Sequence, residues 1–124
     1  MKNFVPDRAT IRIKDLALRT IIGANQWERK KRQDIVVNVS MTFDPAKAAR
    51  TDNLRDTLDY KRIKRDVITL VENSRYRLIE ALAGKILNTV MKHNLVLEAT
   101  VRVDKPHALR FAESVSVEMH AKRS

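Results

Sequence analysis

The chain of 124 residues contains no cysteine. That removes a disulfide frame, a thiolate nucleophile and sulfur-rich metal sites, and it suits a reducing compartment. Glycine is almost as scarce, with only Gly23 and Gly84, and neither opens a recognisable motif, so a phosphate-cradling glycine loop is excluded. Aromatic residues make up only 5% of the chain, which leaves little to interleave with basic residues on a base-stacking surface. The longest uninterrupted apolar runs span a few residues, far short of the roughly 20 that cross a bilayer. Met1 to Arg8 has no apolar core of signal-peptide length. With no low-complexity tract, no Gly/Ser linker and no solenoid period, the expectation is one soluble, cytoplasmic domain spanning residues 1–124, with no membrane partner.

What the chain does have is positive charge. Its 25 Lys and Arg against 15 acids give a formal net charge of +10. Such a surface attracts nucleic acid, an acidic membrane or a phosphorylated small molecule, and charge alone does not choose among them. His93, His107 and His120 lack metal-ligand spacing, and no Ser-His-acid order is legible.

Apolar periodicity supplies the architecture. Ile11 and Ile13 alternate with Arg12 and Lys14, then Leu16 and Leu18 continue on the opposite parity, which predicts a strand with a bulge near Asp15. Gly23 and Asn25 mark the turn after it, and a loop is expected around Trp27 to Arg32. Ile35, Val37, Val39, Met41 and Phe43 alternate with polar residues as a second strand that forms a hairpin with the first. Asp44-Pro45 closes that strand, and Ala46 to Arg50 can make a short helical turn. Asp59 can cap a helix with Ile63, Val67, Ile68 and Val71 on one face. A second helix runs from Leu78 to Met91, with Asn94 as its stop. Glu98 to Lys105 and Ser114 to His120 read as the last two strands.

The resulting order, β-β-α-α-β-β, predicts an α+β layer in which two helices cover one face of an antiparallel sheet. The other face would carry the small polar residues Asn38, Ser40, Thr42, Thr100 and Ser116. Two unpaired edge strands invite edge-to-edge closure into a ring-like homo-oligomer, the alternative being a solvated sheet with protected edges.

Candidate chemistry rests on a few side chains. Lys105 shares the parity of Leu97, Ala99, Val101 and Val103, so it points with the apolar set; it either snorkels outward or handles protons as a partly desolvated amine. Glu80 lies at the margin of the buried helix face, as a site carboxylate or as a partner of Arg77 or Lys85. Glu28, beside the only tryptophan, is a site acid or a counterion for its basic neighbours. Tyr60 either stacks on a ligand or staples the start of its helix.

In order, Ile22-Gly23, Trp27-Glu28, Leu58-Asp59-Tyr60, Leu78-Ile79-Glu80 and Asp104-Lys105-Pro106 resemble the dihydroneopterin aldolase and epimerase family from about Ile11 to Met119. The stretch from Asp104 to Ser116, the opening Ile11 to Leu16 and the run Arg32 to Val36 are most similar to its dihydroneopterin triphosphate 2'-epimerase branch. Trp27-Glu28 and Pro106 also resemble the aldolase branch, whereas His107-Ala108 departs from the Gly-Ala that many aldolases carry after Lys-Pro.

The resemblance implies the tunnelling fold, whose sheets join into an oligomeric barrel, with a tetrameric ring, or an octamer, sharing active sites between subunits. It implies that Glu80 binds a pterin ring through charge-assisted hydrogen bonds, with Ile79 and His107 also at the substrate. Tyr60 would come from a neighbouring subunit, Lys105 would move a proton of the side-chain hydroxyl through water, and Glu28 would be the acid at that end. No cofactor, metal or Schiff base is implied. The expected reaction is retro-aldol chemistry on a dihydropterin side chain, giving C2' epimerisation or, as the alternative, release of glycolaldehyde. A triphosphate on the substrate would give Arg110, Lys31 or Arg32 a use. A basic nucleic-acid-binding module stays open as a different class, using Arg29 to Arg32 and the face of Lys61, Arg62, Lys64 and Arg65.

Overall fold

A computed structural model describes residues 4–124. Four antiparallel strands, β1 (Ala9–Thr20), β2 (Gln33–Phe43), β3 (Glu98–Pro106) and β4 (Ser114–Lys122), form one sheet in the order β1-β2-β3-β4. Three helices follow β2: the short α1 (Ala46–Thr51), then α2 (Tyr60–Glu72) and α3 (Ile79–Met91). Apart from the short α1, where a helical turn is expected at 46–50, the β-β-α-α-β-β order and the antiparallel sheet are as the sequence predicts.

Parity explains the first strand. Ile13 pairs with Val39 but Leu16 pairs with Val37, so Lys14 and Asp15 together face Asn38 and β1 carries one extra residue. The bulge returns Leu16 and Leu18 to the face already occupied by Ile11 and Ile13, which keeps one apolar side despite the parity switch. Asp15 takes a left-handed φ of 54°, and its N–H donates to Asn38 Oδ1 at 2.9 Å. Asn38 therefore satisfies the amide that the ladder leaves unpaired.

The inward set of β2 and β3 (Ile35, Val37, Val39, Met41, Ala99, Val101 and Val103) is buried under the helices. α2 contributes Ile63, Val67 and Val71, and α3 contributes Leu82, Ala83, Ile86, Leu87 and Val90, the one-sided spacing expected of helices lying on a sheet. Burying a side chain such as Ile86 contributes about 1.5–3 kcal/mol. Asp59 caps α2 as expected, its Oδ1 accepting from the Arg62 N–H at 3.1 Å.

Several boundaries differ: β1 begins at Ala9, β3 reaches Pro106 and β4 runs on to Lys122 rather than ending at His120. β1 and β2 run closer to their connection than alternation suggests, because Thr20 and Gln33 still pair although Thr20 is polar. Buried Thr20 is satisfied by its hydroxyl donating to Ser74 O at 3.0 Å. The expected loop at Trp27 contains a 3-10 turn, Gln26–Lys30, and α3 starts at Ile79 with Leu78 as an extended N-cap.

The topology sets which side chains share an end of the molecule. The short connection 92–97 joins the end of α3 to the start of β3, so the two elements run antiparallel and pack together. The first turn of α3 therefore lies at the same end as Lys105. α2 and α3 are joined by 73–78 and are also antiparallel, so the first turn of α2 lies at the opposite end. With 13 residues in α2, the ends are separated by about 20 Å.

Candidate active site

Lys105 does not snorkel. Paired with Val115 near the end of the sheet, it points to the helix side, keeps only 11% of its side-chain surface exposed and forms an ion pair and hydrogen bond with Glu28. Glu28 is itself buried, and it is delivered by the 3-10 turn Gln26–Lys30. The carboxylate accepts a second hydrogen bond at Oε1 from the Asn25 N–H, 3.1 Å away.

Gly23 makes room for that carboxylate. Its φ of +128° suits glycine, and a Cβ there would fall within the space of the Glu28 carboxylate. Burial, the largest single influence on Glu28, pushes its pKa upward. The Lys105 hydrogen bond, the Asn25 amide, the Lys105 charge and the Gln33 side chain together outweigh burial and hold it below the usual 4.5. At neutral pH Glu28 is thus a carboxylate, an acceptor held against the Lys105 amine.

Glu80 lies in the first turn of α3, at the same end of the molecule as this pair. It is exposed in the single chain, and no ion pair with Arg77 or Lys85 forms among the described residues. Ile79 before it is half-buried against the core. His107 sits in the turn after β3 with φ 60°, its side chain exposed and its N–H donating to Glu113 O at 3.0 Å.

Tyr60 is not brought to the pair within this chain. It is the first residue of α2, at the far end, 48% exposed, and it lines a groove of about 250 Å³ with Leu54, Thr57, Leu58, Asp59 and Lys61. Leu58 rather than Tyr60 is the buried anchor of that helix start.

Among the residues considered for phosphate, Arg32 spends its guanidinium on the carbonyls of Glu72 at 2.9 Å and Arg19 at 3.3 Å. Arg29 donates to the carbonyls of Gly23, Tyr76 and Arg75. Half of the basic run 29–32 is therefore part of the scaffold, which weakens it as a nucleic-acid surface. Lys31 and Arg110 are exposed, with Arg110 placed 5.3 Å from the centroid of the Phe111 ring. Among the described residues, no three His, Asp or Glu groups are arranged to hold a metal ion, and no helix is long and apolar enough to cross a membrane.

Sequence reading missed the roles of Gly23, Arg29 and Gln33. A turn glycine, one arginine in a basic run and a glutamine at a strand start carry no periodic signal.

A four-stranded antiparallel sheet, two antiparallel helices on one face and an acid–base pair at the strand end define a tunnelling-fold enzyme. The chain belongs to the dihydroneopterin aldolase family, whose model matches residues 11–120. It is 41% identical over 123 residues to the dihydroneopterin triphosphate 2'-epimerase of Pseudomonas aeruginosa, covering 99% of this chain and all of that protein. It is 30% identical over 105 residues to the dihydroneopterin aldolase of Escherichia coli, covering 85% of this chain and 86% of the relative. The crystal structure of Escherichia coli dihydroneopterin aldolase in complex with neopterin superposes with a TM-score of 0.87 at 28% identity, covering 91% of this chain and 98% of that one.

Proposed function

We propose that the protein inverts C2' of dihydroneopterin triphosphate by a retro-aldol and aldol sequence. The observation that carries this reading is the placement of a buried Glu28–Lys105 pair at the same end of the chain as Glu80. A carboxylate at the α3 end suits the ring N–H and exocyclic amine of a pterin, and the side chain then extends toward the pair. Lys105, held in place by Glu28, relays the proton of the C2' hydroxyl through a water. As the C2' oxygen becomes a carbonyl, the C1'–C2' bond breaks and its electron pair passes into the dihydropterin ring. The protein's contribution is orientation and proton transfer. Re-addition of C1' to the opposite face of the aldehyde, with a proton returned to the C2' oxygen, inverts the centre. Protonation of C1' and loss of the aldehyde would instead be aldolase cleavage.

Identity over nearly the whole chain to a dihydroneopterin triphosphate 2'-epimerase, and the ending Asp104 to Arg110, favour epimerisation. Trp27-Glu28 and the aldolase relative keep cleavage as the second reading. Incubation with dihydroneopterin and with its triphosphate, followed by separation of neopterin, monapterin and hydroxymethylpterin products, tests both. Monapterin formed preferentially from the triphosphate is expected. Hydroxymethylpterin as the main product would replace epimerase with aldolase, and no product from either substrate would end the reading.

The active form is proposed to be a ring, tetrameric or paired into an octamer, with Tyr60 of one subunit completing the pterin site of the next. Three features support this. β1 and β4 are both unpaired edges, the outer sheet face is polar, with Asn38, Ser40 and Thr100 among Arg12, Arg102 and Glu118, and Tyr60 stands about 20 Å from the rest of its own site. Mixing Lys105→Ala and Tyr60→Ala chains, then unfolding and refolding them together, should recover about one quarter of wild-type sites by random assortment. A mixture as inactive as either variant would overturn the shared site.

A further inference from the structure

Glu28 and Glu80 belong to segments that are far apart in sequence, one in the turn after β1 and the other at the start of α3. Their spacing depends on what fastens residues 23–30 to residues 75–78. We propose that Arg29 is the positioning residue that fixes this spacing, clasping the segment that carries Glu28 to the one that leads into Glu80. The inference rests on the reading given under Proposed function.

The clasp is dense. Arg29 Nη1 donates to Gly23 O at 3.3 Å and to Tyr76 O at 3.0 Å, and Nη2 donates to Arg75 O at 2.5 Å. Arg75 returns the contact, its Nη2 donating to Arg29 O at 3.2 Å, and the Gly23 N–H donates to Tyr76 O at 3.2 Å. One planar guanidinium thus ties together three carbonyls from two segments, a geometry that its fixed fork of donors allows and a lysine ammonium does not reproduce. Both ends of the clasp lead directly to the site. Gly23 is the residue whose missing Cβ accommodates the Glu28 carboxylate, and Arg29 follows Glu28 in the chain. On the other side, Tyr76 precedes α3 by a few residues, and Leu78 forms its extended N-cap without a side-chain hydrogen bond. The helix start is therefore held from outside rather than by its own cap. A shift of Tyr76 against Gly23 moves Glu80 against Glu28 and Lys105. For a reaction that depends on orientation, a displacement near 1 Å costs on the order of 100-fold in rate.

The test compares wild type, Arg29→Met and Arg29→Lys as assembled proteins. For wild type, turnover of dihydroneopterin or its triphosphate is measured first, because absence of turnover would sink the functional reading and this inference with it. With turnover present, Arg29→Met is expected to lower kcat about 10- to 100-fold while KM stays within about threefold. Affinity for a pterin lacking the side chain should be unchanged, since the ring is held at Glu80 and by Tyr60 of the next subunit rather than at the Glu28–Lys105 pair, and Arg29→Lys should not restore kcat. An Arg29→Met variant with kcat within about twofold of wild type would overturn the inference while leaving the functional reading intact. So would a loss of side-chain-free pterin binding in step with kcat, because that marks general loosening rather than spacing. If Arg29→Met does not assemble, Arg75→Met removes only the reciprocal bond. A smaller fall in kcat with unchanged pterin affinity then supports the clasp, and unchanged kcat overturns it.

Discussion

The two ends of the helix pair are built to different standards of completeness. At the Lys105 end, the carboxylate of Glu28 has a cation, a backbone amide and a cavity shaped by Gly23, and the neighbouring loops are fastened by arginine to carbonyl bonds. At the Tyr60 end, a half-exposed phenol stands over an open groove, with Leu54 90% exposed beside it. Among the described residues no buried ion pair like Glu28–Lys105 lies there; the polar devices are the Asp59 cap of α2, the Asn53 cap of the turn before it and the bonds of Asp56 to Thr51 and Lys47. The difference separates two ways of holding a functional side chain. A group that carries charge into a desolvated place must be fully partnered within its own chain before any ligand arrives. An amphipathic side chain that stays half exposed, as Tyr60 does, needs no such support.

The strongest way to break this contrast is to remove Lys105. In Lys105→Met the Glu28 carboxylate stays buried without its cation, so turnover should fall about 10²- to 10⁴-fold and the fold should lose about 3 kcal/mol. The combined Glu28→Gln, Lys105→Met protein should recover most of the stability and none of the activity, because exchanging both charges leaves no buried ion unpaired. Urea midpoints and turnover measured on the same preparations separate the two effects. A single variant as stable as wild type would show that the carboxylate is not held in the chain as described.

Tyr60→Ala should behave in the opposite way. The side chain buries little in its own chain, so its removal should change monomer stability by no more than about 0.5 kcal/mol, while turnover falls at least tenfold. Stability loss comparable to that of Lys105→Met would mean that Tyr60 is part of its own helix packing, and the contrast between the ends would fail.

Much of this was legible before the structure, and the reasons are local. Period-two alternation marks β2 through Ile35 to Phe43, and the parity switch between Ile13 and Leu16 marks the bulge at Asp15, because a buried face tolerates only one register. The orientation of Lys105 follows from the same rule. Its partner does not, since the turn carrying Glu28 has no repeating pattern and is positioned by contacts to Tyr76 and Arg75, residues distant in sequence. The roles of Arg29 and Arg32 are hidden for the same reason. A guanidinium bonded to carbonyls and one in solvent look alike in a basic run. Glu80 and Tyr60 were both visible as candidates, but only the antiparallel packing of α2, α3 and β3 shows that one shares an end with Lys105 and the other does not.

The mildest test of the comparison uses pH. Because its pKa is held below 4.5 in the folded chain, Glu28 binds a proton more readily when unfolded, so the stability it contributes is fully present above that unfolded value. As pH falls through the depressed folded value the carboxylate is protonated, its pairing with Lys105 is lost and the contribution disappears. The stability gap between wild type and Glu28→Gln should therefore be flat around neutrality and narrow only below about pH 4.5. Tyr60→Ala should follow the wild-type profile throughout, since the substitution lies about 20 Å along α2 from the Glu28–Lys105 pair and removes none of its bonds. Denaturant midpoints from pH 7 down to the acid limit of folding give both curves. A gap that closes well above pH 5 would mean that burial outweighs the Lys105 and Asn25 bonds and raises Glu28. The Lys105 end would then be a strained site rather than a satisfied one.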